Sequence, residues 1–410
     1  MQKIDLRQVA PGEVFRSVIA SYNKLAAGEP LEVTVQSYPT ELQMGLVEAG
    51  AKHEAERTDD GDWSLRVRGA SQSLSNAPGI HHVVAGRDGS IWTCQRSRRA
   101  ARIDGYTRKI MVVREVATKA SHMALDHERD RLFIADAGGN ALVCVSANDL
   151  RHLGRWDMPG SPQLPLVTEE GISCITISGA AALGIVWPRG GGYHAKVIEV
   201  GRGPHDPVAT PDGRSILVPC AGAGEVLRVS LSDGTITGRF ITGDGPAHIA
   251  VHPDGERIYV ANTFDGTLAC ISPEGDLLGK VASGRWAHVP EVTPDGRLVY
   301  VANFFDDTLS VFDARTLERL ALLDTDAYPH GLDISPDGNS VVATGFSSDH
   351  VRVFDAVSYE EKVRIKVGEG SAHTAFLPDN RTAFVGCSIS DHLAVIDIES
   401  EKSTELVKLN

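Results

Sequence analysis

The chain has 410 residues, 40 Lys and Arg against 54 Asp and Glu, and a net charge of −14. That length calls for two domains or one large repeat fold, and the acidic balance excludes a nucleic-acid binder, because nothing would neutralise a phosphate backbone. Hydrophobic residues at 42% exclude a disordered chain, and 41 glycines among short β-branched runs predict strands joined by tight turns.

The opening MQKIDLRQVAPGEVF has no basic start followed by an apolar stretch. No apolar run approaches the length of a membrane span, so a cytoplasmic protein without a membrane partner is expected. Cys94, Cys144, Cys174, Cys220, Cys270 and Cys387 are scattered and form no CxxC pair. Neither a zinc ribbon nor a disulfide framework is indicated.

Residues 1–69 differ in texture from the rest. Lys3–Leu6 reads as a strand, Pro11–Leu25 as a helix stopped by Gly28, and Leu31–Val35 as a second strand. Pro39 opens a second helix that ends at Gly50. Lys52–Glu56 and Trp63–Val67 follow as strands joined by Asp59-Asp60-Gly61. The order βαβαββ predicts a small two-layer α/β domain. Its opening IDLRQVAPGEVF resembles the first-helix entry of the sulfur-carrier (TusA/SirA-like) fold. The reactive cysteine of that family would fall at or near Ala10, and residues 1–69 contain no cysteine. A docking or regulatory module, with a protein partner, is the expectation. Ala70–Pro78 is expected to be a linker.

From residue 79 the chain repeats. Ile249–Gly255 and Leu332–Gly338 are apolar alternations ending in Pro-Asp-Gly, each followed by a second strand. Units aligned on the position before the first strand start at 81, 121, 163, 205, 247, 288, 330 and 372. A period of about forty residues is the mark of four-stranded propeller blades. PHGLDISPDG (Pro329–Gly338) and IYVANTFDGTL (Ile258–Leu268) resemble the YVTN family of β-propellers. A mainly β chain with an eight-bladed propeller over 79–410 is therefore expected, the third unit (Gln163–Trp187) being the most degenerate.

Histidine occupies about one position in 27 of the chain. The register before each first strand holds His81, Ser121, Gln163, His205, Ala247, His288, His330 and Ala372. The next register holds His82, His122, Leu164, Asp206, His248, Val289, Gly331 and His373. Histidine thus fills eight of the sixteen aligned positions, and seven of eight units contribute. The first strand of a propeller blade lines the channel, so these imidazoles are expected to converge on the axis. Neutral imidazoles suit copper, iron, zinc or nickel, whereas a register with Asp206 as its one carboxylate disfavours calcium and magnesium.

The other histidines are not assigned to the site. His252 precedes a Pro-Asp-Gly turn, His127 lies in the equivalent turn of the second unit, and His350 and His392 lie in SDH loops; His53, His152 and His194 lie outside the registers. Arg202 and Arg285 lie three residues before the first register and could hold an anionic substrate. Trp286 and Tyr328 could wall the cavity, and Gln163 could orient a ligand through its amide. Cys94, Cys220 and Cys387 are expected to pack in the core.

Such a ring favours a cytoplasmic metalloenzyme, an oxidoreductase using copper or iron on a small-molecule substrate. Two propeller enzymes offer analogies. Nitrous oxide reductase holds a copper cluster with channel histidines, and the haem d1 domain of cytochrome cd1 nitrite reductase uses an axial histidine, which allows a haem-type cofactor. Two other readings stand beside it: a non-catalytic scaffold, and a metal-dependent lyase or hydrolase that needs a general base.

Overall fold

Alternating apolar and polar residues over five to seven positions, punctuated by Pro-Asp-Gly, leave the chain little choice but short strands and tight turns. The computed structural model describes residues 79–95 and 97–407. Before them it describes 2–9, 29–35, 52–58 and 62–68, with Val14, Ser17, Val18, Ser21, Leu25, Leu42, Leu46 and Asp60. The chain divides into two compact units, Met1–Pro78 and Gly79–Asn410.

The first unit contains the strands β1 (Gln2–Asp5), β2 (Leu31–Val35), β3 (Lys52–Arg57) and β4 (Trp63–Arg68). They form one sheet in the order β1-β2-β4-β3. β1 and β2 are parallel and the other pairs antiparallel. A parallel pair needs a crossover. Within it Val14, Ser17, Val18 and Ser21 are helical at the spacing of one helix face, and Val18 is buried. Leu42 and Leu46 are helical and buried too. Leu31, Val33, Val35, Leu65 and Val67 form the apolar face of the sheet. All four strands lie within one residue of their expected bounds. Most of both expected helices, and the linker 70–78, lie outside the described residues.

The second unit consists of eight four-stranded antiparallel sheets in chain order. The first begins at Ile80 and the last ends at Val407. Gly213, Gly255, Gly296 and Gly338 close the Asp-Gly turns at φ of 66, 75, 72 and 75°, the left-handed region that costs glycine nothing. The third unit, the least regular in sequence, still forms a complete sheet over residues 162–199. Sheet four departs most, since prolines 204 and 207 cut its first strand to Val208–Ala209.

Each pair of adjacent sheets encloses its own apolar cluster. Trp92, Met123 and Leu132 join sheets one and two, and Cys174, Ile185 and Val218 join three and four. Ile80, Ile91, Phe384 and Leu393 join sheet eight back to sheet one, so the ring closes. All four strands of sheet eight come from the C-terminal end. Closure is therefore face packing, supplemented at the seam by Gln95 Nε2 donating to Asp391 Oδ1 at 3.1 Å. The first strands of successive sheets mostly touch one another and therefore line the axis, while the fourth strands are largely exposed. Among the described residues no helix is long and apolar enough to cross a membrane.

Candidate metal centre

In a regular strand successive side chains point to opposite faces. Near the start of the first strand in seven of the eight sheets the register with the second strand shifts, as between Ile80 and His82, Pro246 and His248, and Pro329 and Leu332. A bulge re-aims side chains. It lets either aligned register, and in sheet one both, face the channel. In sheet seven the second register is closed to any side chain. A Cβ on Gly331 would lie 2.1 Å from the Ala372 carbonyl oxygen, so His330 in the first register is the position left for an imidazole.

All eight predicted histidines meet. Ring centroids are 4.6 Å apart for His205 and His248, 4.2 Å for His248 and His288, and 5.1 Å for His288 and His330. The chain continues from His330 to His373 at 5.0 Å, His373 to His81 at 4.9 Å and His81 to His122 at 5.3 Å. His82 lies 5.0 Å from His122 and 4.8 Å from His373. His81, His122 and His373 each offer a ligand atom within 4.8 Å of the others.

Burial favours the neutral form of four of these imidazoles. Desolvation pushes His82 down to about 4, lowers His205, and holds His248 and His288 well below the usual histidine range. His82 Nδ1, His205 Nδ1, His248 Nε2 and His288 Nδ1 are buried without a hydrogen-bond partner among the described residues. A neutral nitrogen lone pair facing a cluster of its own kind is a donor set for a transition-metal ion. Ligand atoms within 4.8 Å of one another need only small ring rotations to reach the roughly 2.0–2.1 Å metal–nitrogen distance.

The carboxylate count needs correction. Asp206 is in place, its Oδ2 3.2 Å from His248 Nδ1, but it is not alone. Glu291 and Asp333, three residues beyond His288 and His330, belong to the same first strands. Burial pushes Glu291 up to about 8, helped by the charges of Asp333 and Asp206. Burial likewise raises Asp333 to about 7 and Asp206 to about 6. The charges of Asp333 and Asp206 both reach Glu291, which places its carboxyl near theirs. Phe376 N–H donates to Asp333 Oδ2 at 2.8 Å and fixes that carboxyl. The equivalent positions in the other units are Val84, Ala124, Leu166, Val208, Ala250 and Ala375. Two acids at an otherwise apolar register were the available signal.

Beside His288 and His330 lies an aromatic wall. Phe304 stacks on Tyr328 at 5.1 Å and lies 5.9 Å from His288, while Trp286 lies 5.0 Å from Phe305. Trp286 and Tyr328 have φ of 64 and 59°. The same position in sheets four, five and eight is Gly203, Gly245 and Gly370, at φ of 63, 73 and 76°. Bulky aromatics thus stand where the backbone asks for glycine, a strain of about 1 kcal/mol or more each. Trp286→Gly is therefore expected to be more stable than Trp286→Ala by about 1 kcal/mol, against the usual order of these residues. Chemical denaturation of the two variants checks this, and equal midpoints would remove the strain.

The remaining expectations divide. Arg285 donates from Nε to Asp306 Oδ1 at 2.6 Å and from Nη2 to the Phe305 carbonyl at 2.6 Å, so its guanidinium is already engaged. Arg202 is exposed, and Gln163 lies in the first strand of sheet three, the sheet without a histidine. His252, before its turn, and His392, expected in a loop, are buried and bond the carbonyls of Gly296 and Val367 at 2.7 and 2.8 Å. All six cysteines are buried and none forms a disulfide. Burial raises the Cys220 thiol to about 12, in keeping with a packing role.

A closed ring of four-stranded sheets around a residue-lined axis is a β-propeller. The chain belongs to the family described as lactonase, 7-bladed beta-propeller, whose model matches residues 192–356 and 324–409, together more than half its length. That description counts seven blades, where this chain forms eight sheets. Residues 3–69 match a second family model, described as uncharacterized conserved protein (DUF2249). No curated protein matches the chain.

Solved structures share the fold. Dihydro-heme d1 dehydrogenase NirN, in complex with DHE, is similar with a TM-score of 0.62 and 16% identity, over 74% of this chain and 69% of that one. Hydrazine synthase of Kuenenia stuttgartiensis gives 0.55 and 16%, over 80% and 99%. A putative 6-phosphogluconolactonase of Bacteroides fragilis gives 0.56 and 17%, over 74% and 99%.

Proposed function

We propose that the second unit is an eight-bladed metalloenzyme of this family, an oxidoreductase acting on a small molecule, with a copper or iron ion at the axis. The observation that carries the reading is the approach of His81, His122 and His373 from three sheets to within 4.8 Å of one another. Such an ion supplies a one-electron couple or a Lewis acid. The chain does the rest. His81, His122 and His373 would hold the ion through their ring nitrogens. Glu291 and Asp333, titrating near neutrality, hold and release protons at the channel wall. Trp286, Tyr328 and Phe304 offer an apolar side to the substrate. The surplus of imidazoles, and a dehydrogenase among the proteins of the same fold, favour redox chemistry.

A second reading has its own support. The family's description names lactonases, and Glu291 and Asp333 supply the carboxylate base that metal-assisted lactone opening needs. Protein reconstituted with Cu(II), Fe(II) or Zn(II) separates the two. The redox reading expects reversible reduction of bound copper or iron and no opening of a simple δ-lactone. Lactone opening by the zinc form selects the hydrolase, and protein that binds no ion selects a non-catalytic scaffold. The first unit is read as a docking module; despite its TusA/SirA-like opening it has no cysteine in residues 1–69 to carry sulfur.

A further inference from the structure

We infer that the ring binds a second metal ion, on His205, His248 and His288, apart from the ion on His81, His122 and His373. The inference rests on the metal reading above and deepens it. The three imidazoles come from sheets four, five and six. Successive ring centroids are 4.6 and 4.2 Å apart, with His248 between the other two.

His248 is built as a ligand. Its Nδ1 faces Asp206 Oδ2 at 3.2 Å. A carboxylate behind one ring nitrogen fixes the tautomer and directs the other nitrogen to a metal. That other nitrogen, Nε2, is buried and has no partner among the described residues. The carboxylate is itself held in place. Asp206 N–H donates to the Ala247 carbonyl at 3.2 Å, and His205 N–H to the Pro219 carbonyl at 2.9 Å. The first bond ties the start of sheet four to sheet five, and the second holds His205 against its own sheet. His248 is 8% exposed and His288 5%. His288 Nδ1 and His205 Nδ1 are buried without a partner among the described residues as well.

One ion cannot use all eight rings. A first-row ion takes four to six ligands, and structural or catalytic imidazole sites commonly use three from the protein. Among the described residues, ring contacts between the two groups pass through His330, which lies 5.1 Å from His288, 5.0 Å from His373 and 6.1 Å from His81. Two three-histidine groups with a ring between them leave each group to hold an ion of its own. Neutral nitrogen donors with one carboxylate behind them suit copper, cobalt or zinc rather than calcium or magnesium.

Equilibrium dialysis against Cu(II) or Co(II) alone, followed by elemental analysis, tests the inference. Wild-type protein is expected to hold two ions per chain. The variants H205A/H248A/H288A and H81A/H122A/H373A are each expected to hold one. Asp206→Asn leaves every imidazole in place and guards against a triple variant that fails to fold. It should weaken the second ion by about ten- to a hundredfold and leave the first unchanged. Saturation of wild type at one ion overturns the second site but not the first. Two ions retained in natively folded H205A/H248A/H288A also overturn it. No ion in wild type overturns the metal reading itself.

Discussion

Alanine at His81, His122 and His373 together is expected to weaken binding of the first ion by on the order of a thousandfold or more, since each ligand lost removes a share of the metal–protein bond energy. The propeller should survive the change. These side chains face the channel, whereas the eight apolar clusters that join the sheets are built from other residues. Circular dichroism of the metal-free variant should match wild type. Thermal melts then read the metal. An ion at a hundred times its dissociation constant stabilises the folded state by about 2.7 kcal/mol. Occupancy of the first site should add that increment in wild type and fail to add it in the variant. A variant that keeps the full increment would show that other residues hold the ion.

The second large effect is a pH dependence of stability carried by Glu291. Its carboxyl titrates at about 8 in the folded chain against an ordinary 4.5. Between those values the folded state keeps a proton that the unfolded state has released. Stability therefore falls as pH rises through this window, by up to about 1.4 kcal/mol per unit. Water reaches the channel wall, so a discounted loss of about 2 kcal/mol between pH 5 and pH 8 is the expectation. Glu291→Gln removes this term. Its midpoint in urea should match wild type at pH 5 and exceed it at pH 8. Asp333, raised to about 7, acts in the same direction and stays in the variant. A variant no more stable than wild type at pH 8 would place Glu291 in a wetter setting than the structure gives it.

The repeat was legible because it is local. Asp-Gly turns, present in five units, and strand alternation are fixed by backbone sterics. The roughly forty-residue spacing marked the units without that turn, the irregular third among them. The histidines were legible because aligned positions in a closed ring meet at its axis. Glu291 and Asp333 were not found, since only two registers were compared and these acids lie one step deeper, on strands that bend at a bulge. The strain at Trp286 and Tyr328 was equally out of view. Their glycine counterparts at 203, 245 and 370 could have revealed it, but only the backbone angle shows why glycine stands there. In the sequence Asp206 reads as the one carboxylate of its register and a candidate pocket residue or general base, with nothing to pair it with His248. That Asp206 lies behind the ring follows from how sheet four is tied to sheet five.

X-ray absorption at the edge of an ion bound to the wild-type protein is the most direct test of the central claim. The account predicts a first shell of nitrogen at about 2.0 Å, with the outer-shell pattern of imidazole. A shell of oxygen or sulfur, or no ion retained after dialysis, would contradict it.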